Sequence, residues 1–460
     1  MKDETARSLS TRVANHVAHY RFESLPRATV TAAKRAILDG VGVMFAASGV
    51  SADVVPFVEL ARSLGGTPQA TIIGFKERVG PPMAAFANGA MAHALDFEDA
   101  FDAAPCHPNA SLLPALLSAA ESRSPISGTE FIVAVATGCD LVCRMALSLR
   151  QPLESAGWYP PPILGAFGAT AAVSRALRLS PRQITDAFSL LLCQNTCPGE
   201  IKHSPETVIR AIREAFPAQA ALLSSLLAER GVRGFTHPLE GQSGFFALYA
   251  AGRYEPSDIT DGLGERFWIE DLSFKKWPCC RGTHAYIEAA QELRRIHGFD
   301  ASDIAELRIF GGELQRMLCE PTARKQRPQT IIDAKFSLPF TLAVALRDEE
   351  VTLDSFAQGR LSEPPLLSLA AKACFEFRQG ISQPAAGEIC IALNDGRVLR
   401  HSILHALGDP TRPLNDASLQ AKFVDCTMHA KLPLSRQAAE SLADRFMNLE
   451  REPDVGALLS

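Results

Sequence analysis

The stretch "PPMAAFANGAMAHALDFEDAFDAAPCHPNAS", residues 81–111, decides how the chain is read. Its first half is Ala, Gly, Met and Phe at helical spacing. "AFANGAMAHAL" therefore predicts a buried helix whose small residues let neighbouring backbones approach. Its second half brings His93, Asp96, Glu98, Asp99, Asp102 and His107 to the end of that apolar segment. His titrates near neutrality, and a nearby carboxylate fixes its tautomer and supports its cation, so the segment holds the parts of an acid/base site, Asp96 and His107 among them. Pro108 biases His107 toward an extended backbone. His93, three residues before Asp96, lies on the same helical face. The alternative is plainer: a helix-capping Asp and a structural His. Glu98 and Asp99 read as loop structure or rim charge. His93, Asp96 and His107 also form a possible set for a divalent ion. The chain has no HExxH, however, and its vicinal Cys279 and Cys280 are not CxxC, so no metal is expected.

The small-residue texture extends outward on both sides. "TVTAAKRAILDGVGVMFAAS", "SLLPALLSAAESR", "TEFIVAVATGCDLVCRMALSL", "ILGAFGATAAVSRAL" and "PAQAALLSSLLAERG" all read as buried or amphipathic helices. Strand signals are few there, "ATIIGF" being the clearest. Near residue 270 the pattern changes. "IAELRIFGG" alternates like a strand, and "GEICIALNDGRVLRHSIL" reads as a hairpin turning at "NDG". Helices are expected at "THAYIEAAQELRRIHG" and "LLSLAAKACFEF". "SLQAKFVDCTMHAKLPLSRQAAESLADRFMNL" returns to helix and packs back on the first part. The expected fold is mainly α, with a large helical domain (1–269 with 403–460) and a smaller α+β lid domain (270–402).

Composition sets limits on function. The chain has 460 residues, 47% hydrophobic and 21% charged, which suits globular domains with sizeable cores. A formal charge of −5 gives no reason to expect nucleic acid or an anionic membrane as partner. The polar N-terminus lacks a secretory h-region, and no run of about 18 uncharged apolar residues suggests a membrane span. Eleven Cys, mostly in apolar segments, read as reduced thiols in a cytoplasmic setting.

A second cluster lies in "FKKWPCCRGTHAYIEAA", residues 274–290. Lys275, Lys276, Arg281 and His284 stand at the mouth of a predicted helix, where cations and N-terminal amides together receive carboxylates. A basic solvated loop is the alternative, but Trp277, Pro278 and two Cys make this loop less polar than that. Cys280 is a conceivable nucleophile, without a partner motif to support it. There is no GxxxxGK[ST] loop, no strand followed by GxGxxG and no GxSxG elbow. No nucleotide or other cofactor is indicated.

Taken in order, "ILDGVGVMFAASG", "ATIIG", "NGAMAHALDFED", "HPNASLLPALLSAAE", "GAFGATAAVSRALRLS", "LLAERGVRGF", "FKKWPCCRGTHAYIEAA", "DAKFSLPFTLAVAL" and "GDPTRPL" resemble the MmgE/PrpD family over residues 30 to 425. That family contains 2-methylcitrate dehydratase, cis-aconitate decarboxylase and iminodisuccinate epimerase. The resemblance implies a metal-free active site with Asp96 and His107 in it, a pocket lined by Lys275 and His284, and a homodimer. Several positions depart from the decarboxylase pattern. Ala100 stands in place of a Thr, Tyr159 in place of an active-site His, Cys280 in place of a His, and Met317 in place of a Tyr. The family's active-site Lys aligns without gaps at Ala211, and Lys202, Arg210 and Arg213 are its candidate replacements.

A lyase of a small di- or tricarboxylate follows as the expectation, with Asp96, His107 and Tyr159 catalytic. Lys275, Arg281, His284, Lys202 and Cys280 would hold substrate. A base removes a proton α to a carboxylate, and cations stabilise the developing charge. The carbanion then expels a β-hydroxyl, or is reprotonated on its other face; loss of CO₂ also generates it. Dehydration is expected, with epimerisation or a non-catalytic binding role as alternatives.

Overall fold

The computed structural model describes residues 8–459 except 105, 124, 205, 349 and 380–383. Its first part is helical, as the small-residue runs predict. The long helices are α1 (Arg27–Val50), α2 (Pro81–Ala94), α3 (Pro108–Ser122), α4 (Gly128–Ser148), α5 (Pro160–Ala176) and α6 (Ala215–Glu229). Three of them, α2, α3 and α5, begin on a proline whose missing N–H costs nothing in a first turn. Helix α5 packs on α3, α4 and α6, while α2 lies between α3 and α6.

Glycine sets how close these helices come. A Cβ on Gly138 of α4 would lie 2.6 Å from the carbonyl oxygen of Gly168 in α5, and one on Gly89 of α2 would lie 2.6 Å from that of Glu214. Such approaches exclude any larger residue. Helix α4 is long and apolar enough to cross a membrane, but it is almost wholly buried inside the fold. Its charged members, Asp140 and Arg144, pair within it at 2.5 Å.

"ATIIGF" forms only a two-residue strand, β1 (Ala70–Thr71), paired with β2 (Arg78–Val79). The second part holds a four-stranded sheet of order β4-β3-β5-β6, with β3 at Ile304–Gly311, β4 at Ala373–Phe377, β5 at Gly387–Leu393 and β6 at Val398–Ile403. The hairpin of β5 and β6 turns at Asn394–Gly396, where Gly396 has φ +92°. The helix expected over "LLSLAAKACFEF" is half right. Pro364–Ala370 is helical, and Ala373–Phe377 is the edge strand β4, parallel to β3. Alternation in "ACFEF" gave that strand a partner, which outweighed local helix preference.

Helix α7 (His284–His297) covers the sheet and packs on α9 (Leu338–Asp348), which follows the short helix α8 (Ile331–Lys335). The chain then returns. Helix α10 (Asp416–Met428) packs along α1 and α11 (Arg436–Met447), so the C-terminal "helix" of the sequence is two helices broken before Pro433. The fold is mainly α, with the α+β portion set against the helical one.

Candidate active site

Between these portions lies a cavity of ≈ 210 Å³. Its walls come from both portions of the fold. Asp96, His107, Tyr159, Lys202 and Arg210 line it from the helical part; Cys280, Arg281, Met317 and Phe336 line it from the other.

Helix α2 ends at Ala94, and Asp96 adopts φ +48°, a left-handed turn that Asp tolerates better than most residues. This turn reverses the chain so that Glu98 comes back beneath His93. Glu98 Oε1 accepts from His93 Nδ1, and lies 3.0 Å from His107 Nδ1. The two imidazoles meet edge to face, 4.9 Å apart. The reading of Glu98 and Asp99 as rim charge is therefore wrong, since both are fully buried. The signal was hard to find, because Glu98 is paired by a backbone reversal and not by helical spacing.

The tautomer of His107 follows from its partners. Nδ1 also lies 3.0 Å from the carbonyl oxygen of Asp99, which only accepts. Nδ1 therefore carries the proton, and in the neutral ring Nε2 is a basic nitrogen. His93 lies deeper. Burial, reinforced by Arg213, pushes it down to about 3, so the ring is neutral at pH 7.

Asp96 is held by Lys275, whose Nζ donates to Oδ1 and, at 3.0 Å, to the Asp96 carbonyl. Burial opposes the charge on Asp96, but the Lys275 ammonium outweighs it and keeps the carboxyl below the usual range. Asp96 Oδ2 has no hydrogen-bond partner among the described residues. Lys275 is fully buried behind Asp96 and does not line the cavity, so its ammonium faces the cavity only through Asp96. Burial, with Asp39 and Glu98 close by, pushes Asp99 up to about 8; Asn109 donates to it at 3.1 Å.

Arg281 and His284 differ from expectation. Arg281 borders the cavity, but its guanidinium is committed. It donates to Asp102 at 3.0 Å, to the Leu407 carbonyl at 3.2 Å and to the Ala406 carbonyl at 3.4 Å. His284 is off the cavity wall, buried beneath Trp277 with Nε2 3.3 Å from the Cys279 carbonyl. Burial, then Arg281, holds it well below the ordinary histidine range. The predicted receptor loop is thus largely a strut between chain segments.

The less engaged cations are on the other wall. Lys202 Nζ is 5.1 Å from the centre of the Tyr159 ring and 3.5 Å from Glu154. The Arg210 guanidinium stacks on Phe336 at 3.5 Å, and its Nε has no partner among the described residues. Arg213 is buried, bonded to Glu214 at 3.0 Å, with its guanidinium 5.1 Å from the Tyr159 ring centre. Tyr159 therefore stands among three cations, a cation–π arrangement. Cys280 lines the cavity, but burial and the Asp96 charge push its thiol up to about 11, a poor nucleophile. Ala100, Tyr159, Cys280 and Met317, the positions that depart from the decarboxylase pattern, all line this one cavity.

His93, Asp96, Glu98 and His107 offer ligand atoms within 4.8 Å of one another. Lys275 compensates Asp96 through Oδ1 and both imidazoles face Glu98 Oε1, so the cluster is charge-balanced without an ion, although His93 Nε2, Asp96 Oδ2 and Glu98 Oε2 have no hydrogen-bond partner among the described residues.

Residues 11–257 match the profile of the MmgE/PrpD N-terminal domain, and residues 277–449 that of the MmgE/PrpD C-terminal domain. A cis-aconitate decarboxylase-like protein, oryM, of Aspergillus oryzae is 26% identical over 98% of this chain and 97% of its own. Cis-aconitate decarboxylase of Mus musculus is 25% identical over 98% and 93%. A 2-methylcitrate dehydratase of Cupriavidus necator is 22% identical over 85% of each chain.

Proposed function

The chain belongs to the MmgE/PrpD family, and from that premise we propose that it is a cofactor-independent lyase that removes water from a small hydroxylated di- or tricarboxylate. The observation that carries this reading is His107. Its Nδ1 is tied to Glu98 and the Asp99 carbonyl, which leaves Nε2 as the basic atom of a cavity-lining ring. In the proposed reaction Nε2 takes the proton α to a carboxylate. Arg210 and Lys202 hold the carboxylates and stabilise the carbanion. The electron pair left on carbon forms the double bond as the β-hydroxyl leaves, and a proton from Tyr159 or the returning imidazolium completes water. Acid/base help of this kind contributes about 10²–10⁴-fold.

Dehydration is put first because it is the commonest assignment in the family; the departures from the decarboxylase pattern at positions 100, 159, 280 and 317, all on the cavity wall, set this chain apart from the decarboxylases without selecting a reaction. The division into 1–269 with 403–460 and 270–402, a homodimer and a cytoplasmic setting belong to the same proposal.

The test is a screen of hydroxy di- and tricarboxylates, including 2-methylcitrate and citrate, in deuterated buffer. An unsaturated product with release of water supports the reading. Release of CO₂ assigns a decarboxylase, and deuterium uptake at the α-carbon without an unsaturated product assigns an epimerase. Thermal stabilisation with neither assigns a binding protein.

A further inference from the structure

The turn after helix α2 is held by lysines that come from far along the chain. Lys335 Nζ donates to the carbonyl of Leu95 at 2.7 Å. Lys275 Nζ donates to the carbonyl of Asp96 at 3.0 Å. Lys422 Nζ donates to the carbonyl of Phe97 at 2.7 Å, and to that of Lys275 at 3.0 Å. Three successive carbonyls, at the end of a helix whose dipole places negative charge there, each receive an ammonium. Lys335 and Lys275 are fully buried; the Lys422 side chain is 8% exposed and pairs with buried Asp39 at 2.6 Å. Neither Lys335 nor Lys422 lines the cavity.

Burying three ammonium groups in one place is costly unless each is matched. Here each is matched to the backbone of the turn that carries Asp96 and Glu98. That turn passes through φ +48° at Asp96, a conformation that relaxes unless its surroundings hold it. The amides inside it are few and specific: Asp96 N–H donates to His93, Ala100 N–H to Ser273 and Phe101 N–H to Cys106.

We infer that Lys335 and Lys422 are positioning residues, which together with Lys275 clamp the carbonyls of residues 95–97 and so set where the Asp96 carboxylate stands in the cavity. The inference rests on the reading of Asp96 as an active-site carboxylate. An ammonium donating from each side keeps the turn from relaxing, and with it the Glu98 carboxylate that orients both imidazoles.

The experiment is amide hydrogen exchange on the full-length protein, read in peptides that cover residues 93–104. In Lys335→Met, exchange at 96–101 should accelerate at least about tenfold, with the long helices unchanged. Lys335→Arg, which still donates to the Leu95 carbonyl, should restore exchange to within about threefold of the parent. Lys422→Met should loosen the same peptides, and it reads the clamp on its own if Lys335→Met does not fold. With a substrate in hand, Lys335→Met and Lys422→Met should lose kcat while KM stays near its parent value, and Lys335→Arg should regain it. Unchanged exchange at 96–101 overturns the inference. So does acceleration spread evenly over the chain, or failure of Lys335→Arg to restore it, since either marks Lys335 as ordinary core. The exchange measurement needs no substrate, so a failed lyase reading leaves it intact, and a silent exchange result leaves the screen intact.

Discussion

Oε1 of Glu98 lies 3.0 Å from Nδ1 of His107 and also accepts from His93, so one carboxylate orients two imidazoles. Burial works against its charge, but the two donor rings and Lys275 hold it well below the usual carboxylate range. A residue that fixes the tautomer of a base behind it acts on rate more than on binding. Glu98→Gln keeps the shape but can present an amide N–H where an acceptor is needed. It should lower kcat by about 10–100-fold with KM little changed. Steady-state kinetics, with circular dichroism as the check on folding, measure this. A variant with parental kcat detaches Glu98 from the chemistry.

Arg210 and Arg281 should separate in kinetics. Arg210 stacks on Phe336 with its Nε free of partners among the described residues, whereas Arg281 is spent on Asp102 and two carbonyls. Arg210→Lys replaces a planar fork with a point charge and should cost about 1–3 kcal/mol of substrate binding, seen in KM. Arg281→Lys should instead lower thermal stability. If Arg281→Lys raises KM at unchanged Tm, Arg281 touches substrate after all.

Tyr159 offers a sharper contrast. Its hydroxyl can donate a hydrogen bond or a proton to a leaving group, a role that the ring alone cannot fill. Tyr159→Phe should reduce kcat at least about tenfold if the hydroxyl protonates the leaving group. An unchanged kcat makes the ring a shaped wall beneath Lys202 and Arg213 and moves the acid role to His107.

Chelation should have no effect. The four groups within 4.8 Å of one another are engaged with Lys275 and with each other. Dialysis against EDTA should leave turnover intact. Loss of activity restored by a single divalent ion would convert the network into a metal centre.

The buried imidazoles set a limit on acid stability. His93 is pushed down to about 3 and His284 well below its ordinary value, so both are neutral when folded, while the unfolded chain takes up protons below about pH 6.5. The unfolded state then binds more protons, and stability falls as pH drops from about 6.5 toward 3. At pH 5 His93 alone accounts for about 2 kcal/mol. Denaturant midpoints at pH 7 and pH 5 should show the loss, and His93→Gln should lessen it. A midpoint that does not move between those pH values contradicts neutral buried rings.

Much of this was legible in sequence, for identifiable reasons. Helices α1 to α6 announce themselves because Ala and Gly at helical spacing have no other use at such density, and the "NDG" hairpin because its turn demands φ > 0. Strand β4 was missed because its pairing with β3 joins residues more than sixty positions apart. In the site, Asp96 and His107 were singled out by the family resemblance, since residue type alone does not separate them from His93, Glu98, Asp99 and Asp102. Glu98 was not, since its role depends on a backbone reversal. Lys335 lay inside the quoted "DAKFSLPF" without a visible role, because the carbonyl it caps is 240 residues away. The receptor loop misled for a related reason: Arg and His beside a helix start look the same whether they await a ligand or brace a neighbouring segment.

The lysine clamp has a consequence for how the chain is made. The acids of the turn leave the ribosome long before their counter-ions. Lys275 follows Asp96 by 179 residues and Lys422 follows Phe97 by 325. At about 5–20 residues per second, synthesis takes some ten to thirty-five seconds to deliver the first ammonium and about twice as long to deliver the last. Until residue 275 is made, helices α1 to α6 can pack around their glycines while the turn has His93 and His107 beside Glu98 but none of its clamping ammonium groups. The turn thus receives its last clamping ammonium only when residue 422 has been made, and a nascent chain stalled before it carries helices α1 to α6 without that contact.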